Sequence, residues 1–388
     1  MVLTAPGLAL APWLLAPRLL APTFLASCLM VPWLLVTLAC GLDRLVGDPI
    51  WCLHPVQVMG WWIARLRQLA EAWAADVPWK LQLAGGLITA LLVLGSAASG
   101  WALEHLALTT QGPWSVLAMG LLLLGLASAL AGRSLERAVE AVLQSLPKAD
   151  PTTAPGPPAA AEAALRTARS RLAWIVGRDT ASLDQAGILR AAAETASENA
   201  VDGLFAPLAW MLLGAGLWCC LVAGGMPLAE AVSRIPGPLA LAWGFKAAST
   251  LDSMLGYRRG RLLWLGTAGA RLDDLLTWLP CRLVALSLPL AAARPGRTLA
   301  WLRGALEQGA SDPSPNAGVS QAAYALAAGV RLGGTNRYPE GLRHKPLLAP
   351  ENPAADASAV RRILGLTARL ELIWILLSGL VFLQLGPG

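Results

Sequence analysis

The chain has 388 residues, is 56% hydrophobic and only 14% charged, and has a mean hydropathy of +0.55. That balance excludes an ordinary soluble domain and marks an integral membrane protein. Its net charge of +6 and pI of about 9.3 come from Lys and Arg spread over loops, with no aromatic-interleaved patch and no DNA-binding motif, so nucleic acid is excluded as a partner.

The first stretch is unusual. Pro6, Pro12, Pro17, Pro22 and Pro32 interrupt a run of Leu and Ala, which opposes a regular helix, and the basic flank of a secretory signal is missing. Residues 1–22 therefore read as a proline-rich extension, and 23–388 as a single multi-pass membrane domain. Runs long enough to cross a bilayer are expected at Phe24–Leu42, Leu81–Leu103, Trp114–Ala131, Leu204–Gly224 and Ile363–Leu385. Pro236–Ala248 is a weaker and shorter run. Leu275–Ala293 contains Pro280 and Arg282 and reads as a broken, re-entrant or interfacial helix. Residues 147–160, rich in Pro, Ala and Thr, read as a flexible linker. The expected fold is thus an all-α, polytopic helical bundle with helical loops. Seventeen Trp against three Tyr and four Phe suit anchoring at the bilayer interface.

The positive-inside rule puts 43–80, 132–203, 255–272 and 294–362 in the cytoplasm, and the last two share a side only if Leu275–Ala293 does not simply cross. The six cysteines, Cys28, Cys40, Cys52, Cys219, Cys220 and Cys281, lack metal-ligand spacing and read as small buried hydrophobes.

Five polar clusters stand out from this apolar background. Asp43, Asp48 and His54 surround a Gly47-Asp48-Pro49 sequence at a helix exit, which suits a metal or cationic group, or an ordinary turn. Gly177-Arg178-Asp179-Thr180 and Asp184 lead into Arg190, Glu194, Glu198 and Asp202, spaced by four so that all four share a helical face, with Asn199 beside them. Three like charges so arranged repel unless a cation lies opposite, and magnesium carrying a substrate phosphate suits them; the plain alternative is a solvated acidic face paired with Arg190, with Asp179 or Thr180 as a helix cap. Lys246, Thr250, Ser253 and Tyr257 share a face, with Ser249 and Asp252 close by; this is phosphate chemistry or interhelical polar glue. Arg271, Asp273, Asp274 and Arg282 follow, then Asn316 and Gln321, and Gly-rich Gly333-Gly334-Thr335-Asn336.

In this order the clusters, above all GRDTASLDQAGILRAAAETASENAVDGLFAP at 177–207, resemble the adenosylcobinamide-phosphate synthase family, CobD/CbiB, of vitamin B12 biosynthesis. The resemblance covers the chain after the N-terminal extension; that extension and the stretch from Thr335 to Pro350 depart from the pattern. It implies an inner-membrane, multi-pass ligase with a cytoplasmic site, joining a propionate carboxylate of adenosylcobyric acid to (R)-1-amino-2-propanol or its O-phosphate, with ATP and Mg2+. Other membrane-associated enzymes of cobamide assembly are the partners such a role implies, besides the lipid bilayer.

A carboxylate is a poor acyl donor, so ATP would convert it to an acyl phosphate for attack by the amine. Under this reading Glu194, Glu198 and Asp202, with Asp273 or Asp274, hold magnesium. Arg178, Lys246 and Arg271 clamp phosphates or the substrate carboxylate. Asp179, Asp184 or His54 takes the amine proton, with Glu194, Glu198 and Lys246 also counted as catalytic. Thr180, Asn199, Ser249, Thr250, Asp252, Ser253, Tyr257, Arg282, Asn316, Gln321, Thr335 and Asn336 complete the expected substrate-binding set. A corrinoid transporter, or a membrane sensor of the same fold, is the competing class.

Overall fold

The structure, a computed structural model, describes residues 32–48, 54–147, 158–338 and 341–385. The N-terminal extension, the start of the first expected span and most of the expected linker lie outside these residues. Among the described residues four helices are long and apolar enough to cross a membrane, or five if one bent pair counts as a single span.

α1 (Pro32–Val46) carries the described part of the first span and leads through a loop to α2 (Pro55–Ala74) and the 32-residue α3 (Pro78–Thr109). α2 and α3 both begin at Pro, whose missing N–H is no loss in a first turn. The expected span at Trp114–Ala131 is not one straight helix. α4 (Trp114–Ala127) stops after 14 residues and α5 (Gly132–Gln144) continues at 45°. α6 (Pro158–Ala173) packs against α5.

The acidic helix and the span after it form one 39-residue rod: α7 (Gln185–Ala200), a π-helical turn at Val201–Phe205, and α8 (Ala206–Ala223). The turn has a local cause. Pro207 has no N–H for the Gly203 carbonyl, which instead accepts from Ala131 N at 2.9 Å. One proline thus ties the bend between α4 and α5 to the middle of the rod. α7 is buried nearly all round, and alanines at 191–193, 196 and 200 let its neighbours approach closely.

After α9 (Leu228–Arg234), α10 (Pro238–Leu255) occupies the centre, in contact with α2, α3, α8 and the later α12. Its N-terminus is buried, so its free N–H groups need a partner from the protein. Glu104 of α3 supplies it, accepting from Gly237 N at 3.0 Å, Leu239 N at 2.5 Å and Ala240 N at 3.4 Å. Gly214 of α8 lies so close to the Gly237–Pro238 backbone that any Cβ there would clash.

α11 (Leu262–Leu265) precedes α12 (Thr267–Ala291). The re-entrant expectation for Leu275–Ala293 is corrected: α12 runs through Pro280 and Pro289 without folding back and is long enough to span. The topological conflict resolves differently. After a 3₁₀ turn (Pro295–Arg297), α13 (Thr298–Gly309) returns along α12, so that α14 (Ala317–Ala328) starts beside Asp274, whose carbonyl accepts from Asn316 Nδ2 at 2.8 Å. Residues 255–272 and 312–338 therefore share one end of the bundle, whereas Pro295–Arg297, expected on the same side, follows the opposite end of α12.

Where the sequence reading expected only helices and Gly-rich turns, β1 (Leu332–Tyr338) and β2 (Gly341–Leu348) form an antiparallel hairpin. Its register shifts between Leu332 and Gly334, where Gly333 and Gly334 have φ of 82° and 95°. α15 (Ala357–Leu385) closes the bundle against α7 and α12.

The Glu104 cap predicts that Glu104→Ala, which strands three buried N–H groups, costs at least about 2 kcal/mol, while Glu104→Gln, which keeps an acceptor oxygen, costs less. Thermal unfolding in detergent of the two variants beside the parent checks this, and equal loss in both would count against the cap.

Candidate functional site

The polar clusters meet around a cavity of about 860 Å³ at the end of the bundle that carries the hairpin. α7 contributes Glu194, Glu198 and Asn199, and the π turn adds Asp202. The four-residue spacing does bring the three carboxylates to one wall. α10 supplies Lys246, Ser249, Thr250, Asp252 and Ser253, with Tyr257 just beyond it. Asp273 comes from α12, Gln321 from α14, and Asn336 and Lys345 from the hairpin.

The most buried charges are paired. Arg178 donates through Nη2 to Glu194 Oε2, with side chains only 9% and 3% exposed, and through Nη1 to Asn336 Oδ1. Glu194 Oε1 accepts from Gly333 N at 2.9 Å, and Arg190 Nε stands 4.0 Å from it. Arg190 also donates to the Thr335 carbonyl at 2.8 Å and to Asn336 Oδ1 at 3.3 Å. A side chain at Gly334 would collide with the Arg190 guanidinium, so the glycine pair both bends the strand and admits the arginine. Thr195 extends this fastening by donating to the Ile175 carbonyl at 2.7 Å, which fixes the segment bearing Arg178. Glu194 is thereby held by the Arg178 guanidinium and the Gly333 amide, with Arg190 near, and this geometry makes it the fastener of the hairpin.

The remaining acids are less compensated. The cavity wall carries five carboxylates and three cationic side chains. With Glu194 held by Arg178, and Lys345 donating to Asp312 Oδ2 at 2.6 Å while its charge also acts on Glu198, Lys246 lies near Asp202 and Asp273 on a wall that also carries Asp252. Glu198 accepts from Gln321 Nε2 at 2.8 Å, while Asp273 Oδ1 is buried without a hydrogen-bond partner among the described residues. An excess of carboxylates with an orphaned buried oxygen fits a divalent cation. No group of three or more His, Cys, Asp or Glu among the described residues is arranged to hold a metal ion by itself. An ion here would therefore complete its shell with ligand oxygens and water, as magnesium does in phosphate sites.

Several expected site residues stand elsewhere. Asp184 is the N-cap of α7, accepting from Gly187 N at 2.8 Å, and Asp179 makes a turn through Ala181 N at 2.9 Å. Thr180 donates to the Arg169 carbonyl. These were local backbone signals, and none of the three lines the cavity. Arg271 is exposed and outside it. Asp274, Arg282 and Asn316 form a latch: Ser314 Oγ donates to Asp274 at 3.2 Å and Arg282 donates to both Asn316 Oδ1 and the Pro315 carbonyl, fastening the turn before α14 to α12. Thr335 donates or accepts at His344 Nδ1, on the exposed side of the hairpin.

In the first cluster the polar side chains are engaged with backbone groups and with one another, while Pro49 of the expected Gly47-Asp48-Pro49 turn lies outside the described residues. Asp43 Oδ2 accepts from Arg133 N at 3.3 Å at the start of α5. His54 Nδ1 accepts from Val56 N, so its proton sits on Nε2 and is directed at Asp48 Oδ1, 3.2 Å away. With both ring nitrogens engaged, His54 is corrected from proton acceptor to helix cap. Asp48 also accepts from Ser134 Oγ at 2.6 Å. Burial alone would raise the Asp48 carboxyl, but the hydrogen bonds from His54 and Ser134, with the charge of Lys246, outweigh it and hold it below the ordinary aspartate value.

Lys345 is the charged cavity residue that sequence reasoning missed, together with Ser134, Trp174 and Thr195 of its lining. The signal available was a lysine in a short basic run, Arg343-His344-Lys345, nine residues beyond Gly333-Gly334-Thr335-Asn336, and without the hairpin nothing aimed it at the acidic helix.

Comparison with known proteins gives the chain a family. The family model described as CobD/Cbib protein matches residues 36–367. The chain is 37% identical to the cobalamin biosynthesis protein CobD of Synechocystis sp. over 89% of this chain and 91% of that one. It is 35% identical to the CobD protein of Pelobacter propionicus, covering 88% and 93%, and 32% identical to the cobalamin biosynthesis protein CbiB of Salmonella typhimurium, covering 86% and 90%. No solved structure matches the chain.

Two expectations follow from the site. Glu194→Ala releases the hairpin, so hydrogen exchange of amides 332–338 speeds up by tenfold or more (about 1.4 kcal/mol), while the helix amides of α3 stay protected; unchanged exchange at 332–338 contradicts the fastener role. For Asp48 the folded pKa lies below the unfolded value of about 3.9, so its stabilisation is fully present above that pH and is lost as pH falls through the folded pKa. The stability gap between the parent and Asp48→Asn should hold constant above about pH 5 and close on further acidification; a gap that persists at the acid end contradicts it.

Proposed function

We propose, from the premise that this chain belongs to the CobD/CbiB family of cobalamin biosynthesis proteins, that the cavity forms an amide bond between a propionate carboxylate of adenosylcobyric acid and (R)-1-amino-2-propanol or its O-phosphate, using ATP and magnesium. The observation that carries the reading is the cavity itself. It joins a half-buried lysine, a second lysine on the hairpin and an excess of carboxylates with one orphaned oxygen, a donor set suited to a phosphate and its divalent cation.

Bound magnesium would neutralise phosphate charge, held by Asp273 and Asp202 with Glu198 beside them. Lys246, reaching in from α10, would attract the anionic oxygens of either substrate carboxylate or phosphate. Lys345 would approach from the opposite wall. Ser249 and Ser253 line the floor one turn apart and orient polar groups. Glu198, fixed by Gln321, stands where a positioned carboxylate could take the proton that the ammonium must lose before it attacks. Asp179, Asp184 and His54, which lie outside the cavity, have no part in this scheme. The basic loops at this end of the bundle support a cytoplasmic orientation under the positive-inside rule, in a plasma membrane.

The test is amide formation by the purified protein in detergent with adenosylcobyric acid, ATP, magnesium and aminopropanol phosphate, read by mass spectrometry. A corrinoid heavier by the condensed amine is the expected result. Lys246→Met and Asp273→Asn each reduce kcat/KM by about 10²-fold or more, whereas Asp179→Asn and Asp184→Asn stay within a few-fold of the parent. Corrinoid accumulation in sealed vesicles without amide product would replace the ligase by a carrier.

A further inference from the structure

A second cavity, of about 520 Å³, lies between α2 and α3 with Trp243 of α10 at its back. Its walls are Met59, Trp62 and Leu66 on α2 and Leu91, Leu92 and Ser99 on α3, so it is apolar except for serine hydroxyls. None of its lining residues belongs to the polar cavity.

α2 is apolar on two opposite sides. Met59, Ile63, Ala70 and Ala74 are buried in the bundle, whereas Val58, Trp61, Trp62, Leu69 and Trp73 form an outward stripe, each at least 37% exposed. On α3 the residues Leu83, Leu87, Leu91 and Leu94 are also outward, and Leu91 both faces out and lines the groove. The groove thus opens onto the surface that a membrane-length helix presents to hydrocarbon. Positive charge sits beside it on indole faces. The Arg65 guanidinium is 5.7 Å from the Trp61 ring, and Lys80 Nζ is 5.5 Å from Trp73 and 5.9 Å from Trp79. Indoles with stacked cations belong at the headgroup level, where the charge meets lipid phosphate. Arg65 follows the groove residue Trp62 by three positions on α2, so the two share a helical face and charge stands beside the apolar groove. At Gly95, in the groove wall, an added Cβ would meet nothing within 4 Å, which leaves the space open for a ligand.

We propose that the groove between α2 and α3 holds one acyl chain of an anionic phospholipid whose headgroup phosphate is met by Arg65. This is a site built for a particular lipid, distinct from the general embedding of the spans. It stands independently of the ligase reading.

The test uses the intact protein in phosphatidylcholine nanodiscs, doped with phosphatidylglycerol or phosphatidylcholine carrying a photoreactive diazirine on the acyl chain, with crosslinks mapped by mass spectrometry. Crosslinks should concentrate on Met59–Leu66 and Leu91–Ser99, with the phosphatidylglycerol probe favoured about fivefold, the worth of one basic residue at an anionic surface. Gly95→Phe, which fills the groove, should remove these crosslinks while those on the exposed Leu372, Leu376 and Leu380 of α15 persist. Arg65→Glu should keep the crosslinks and erase the headgroup preference. If Gly95→Phe fails to fold, Ser99→Phe fills the same space. Crosslinks spread evenly over all outward leucines, or unmoved by both filling variants, overturn the site. Equal labelling by both probes overturns the anionic assignment, and displacement by adenosylcobyric acid would give the groove to the corrinoid.

Discussion

The ion pair between Arg178 and Glu194 is the interaction on which the site depends. Both side chains are almost wholly buried, and each would be costly there without the other; removing one partner of such a pair typically costs about 3–5 kcal/mol. Because Glu194 also takes the Gly333 amide, and Arg178 also takes Asn336, the pair binds the acidic helix and the segment before it to a hairpin distant in sequence. The acidic helix, the segment before it and the hairpin become one wall. Lys345 reaches the acidic helix only because this wall exists.

Around that wall the molecule separates support from chemistry. Residues that end or begin helices, such as Asp43, His54 and Asp184, keep backbone N–H groups satisfied at the exits of the bundle. Side chains on the second halves of α7 and α10 and near the start of α12 line the cavity. Polar side chains on well-packed helices are held more firmly than those on loops, which suits a site that must align two substrates. The same low-dielectric setting governs Glu104, a carboxylate deep among apolar helices whose oxygens are both occupied by the first amides of α10.

Much of this was legible in the sequence. The four-residue spacing of Glu194, Glu198 and Asp202 placed them on a common wall, and the polar stripe of α10 from Lys246 to Ser253 found its cavity. The errors have physical reasons. Asp179 and Asp184 carry carboxylates suited equally to catalysis and to capping, and only the positions of Ala181 N and Gly187 N distinguish the two. Leu275–Ala293 contains prolines that suggest a break, yet neighbouring helices hold α12 continuous, and the return of the chain is made by α13 instead. Trp114–Ala131 reads as a single apolar run because hydropathy is blind to the 45° bend, whose anchor is a carbonyl 72 residues away in the chain, freed by Pro207.

That freed carbonyl gives the π turn a mechanical meaning. α8 is the apolar end of a rod whose other end carries Glu194 and Glu198, and Asp202 sits at the joint between them. The apolar span and the acidic helix are thus one continuous rod, with Asp202 at the turn where they meet, and the bond from Ala131 to Gly203 fastens that meeting point to the start of α5. The carboxylate spacing and the direction of the apolar span are set by the same turn.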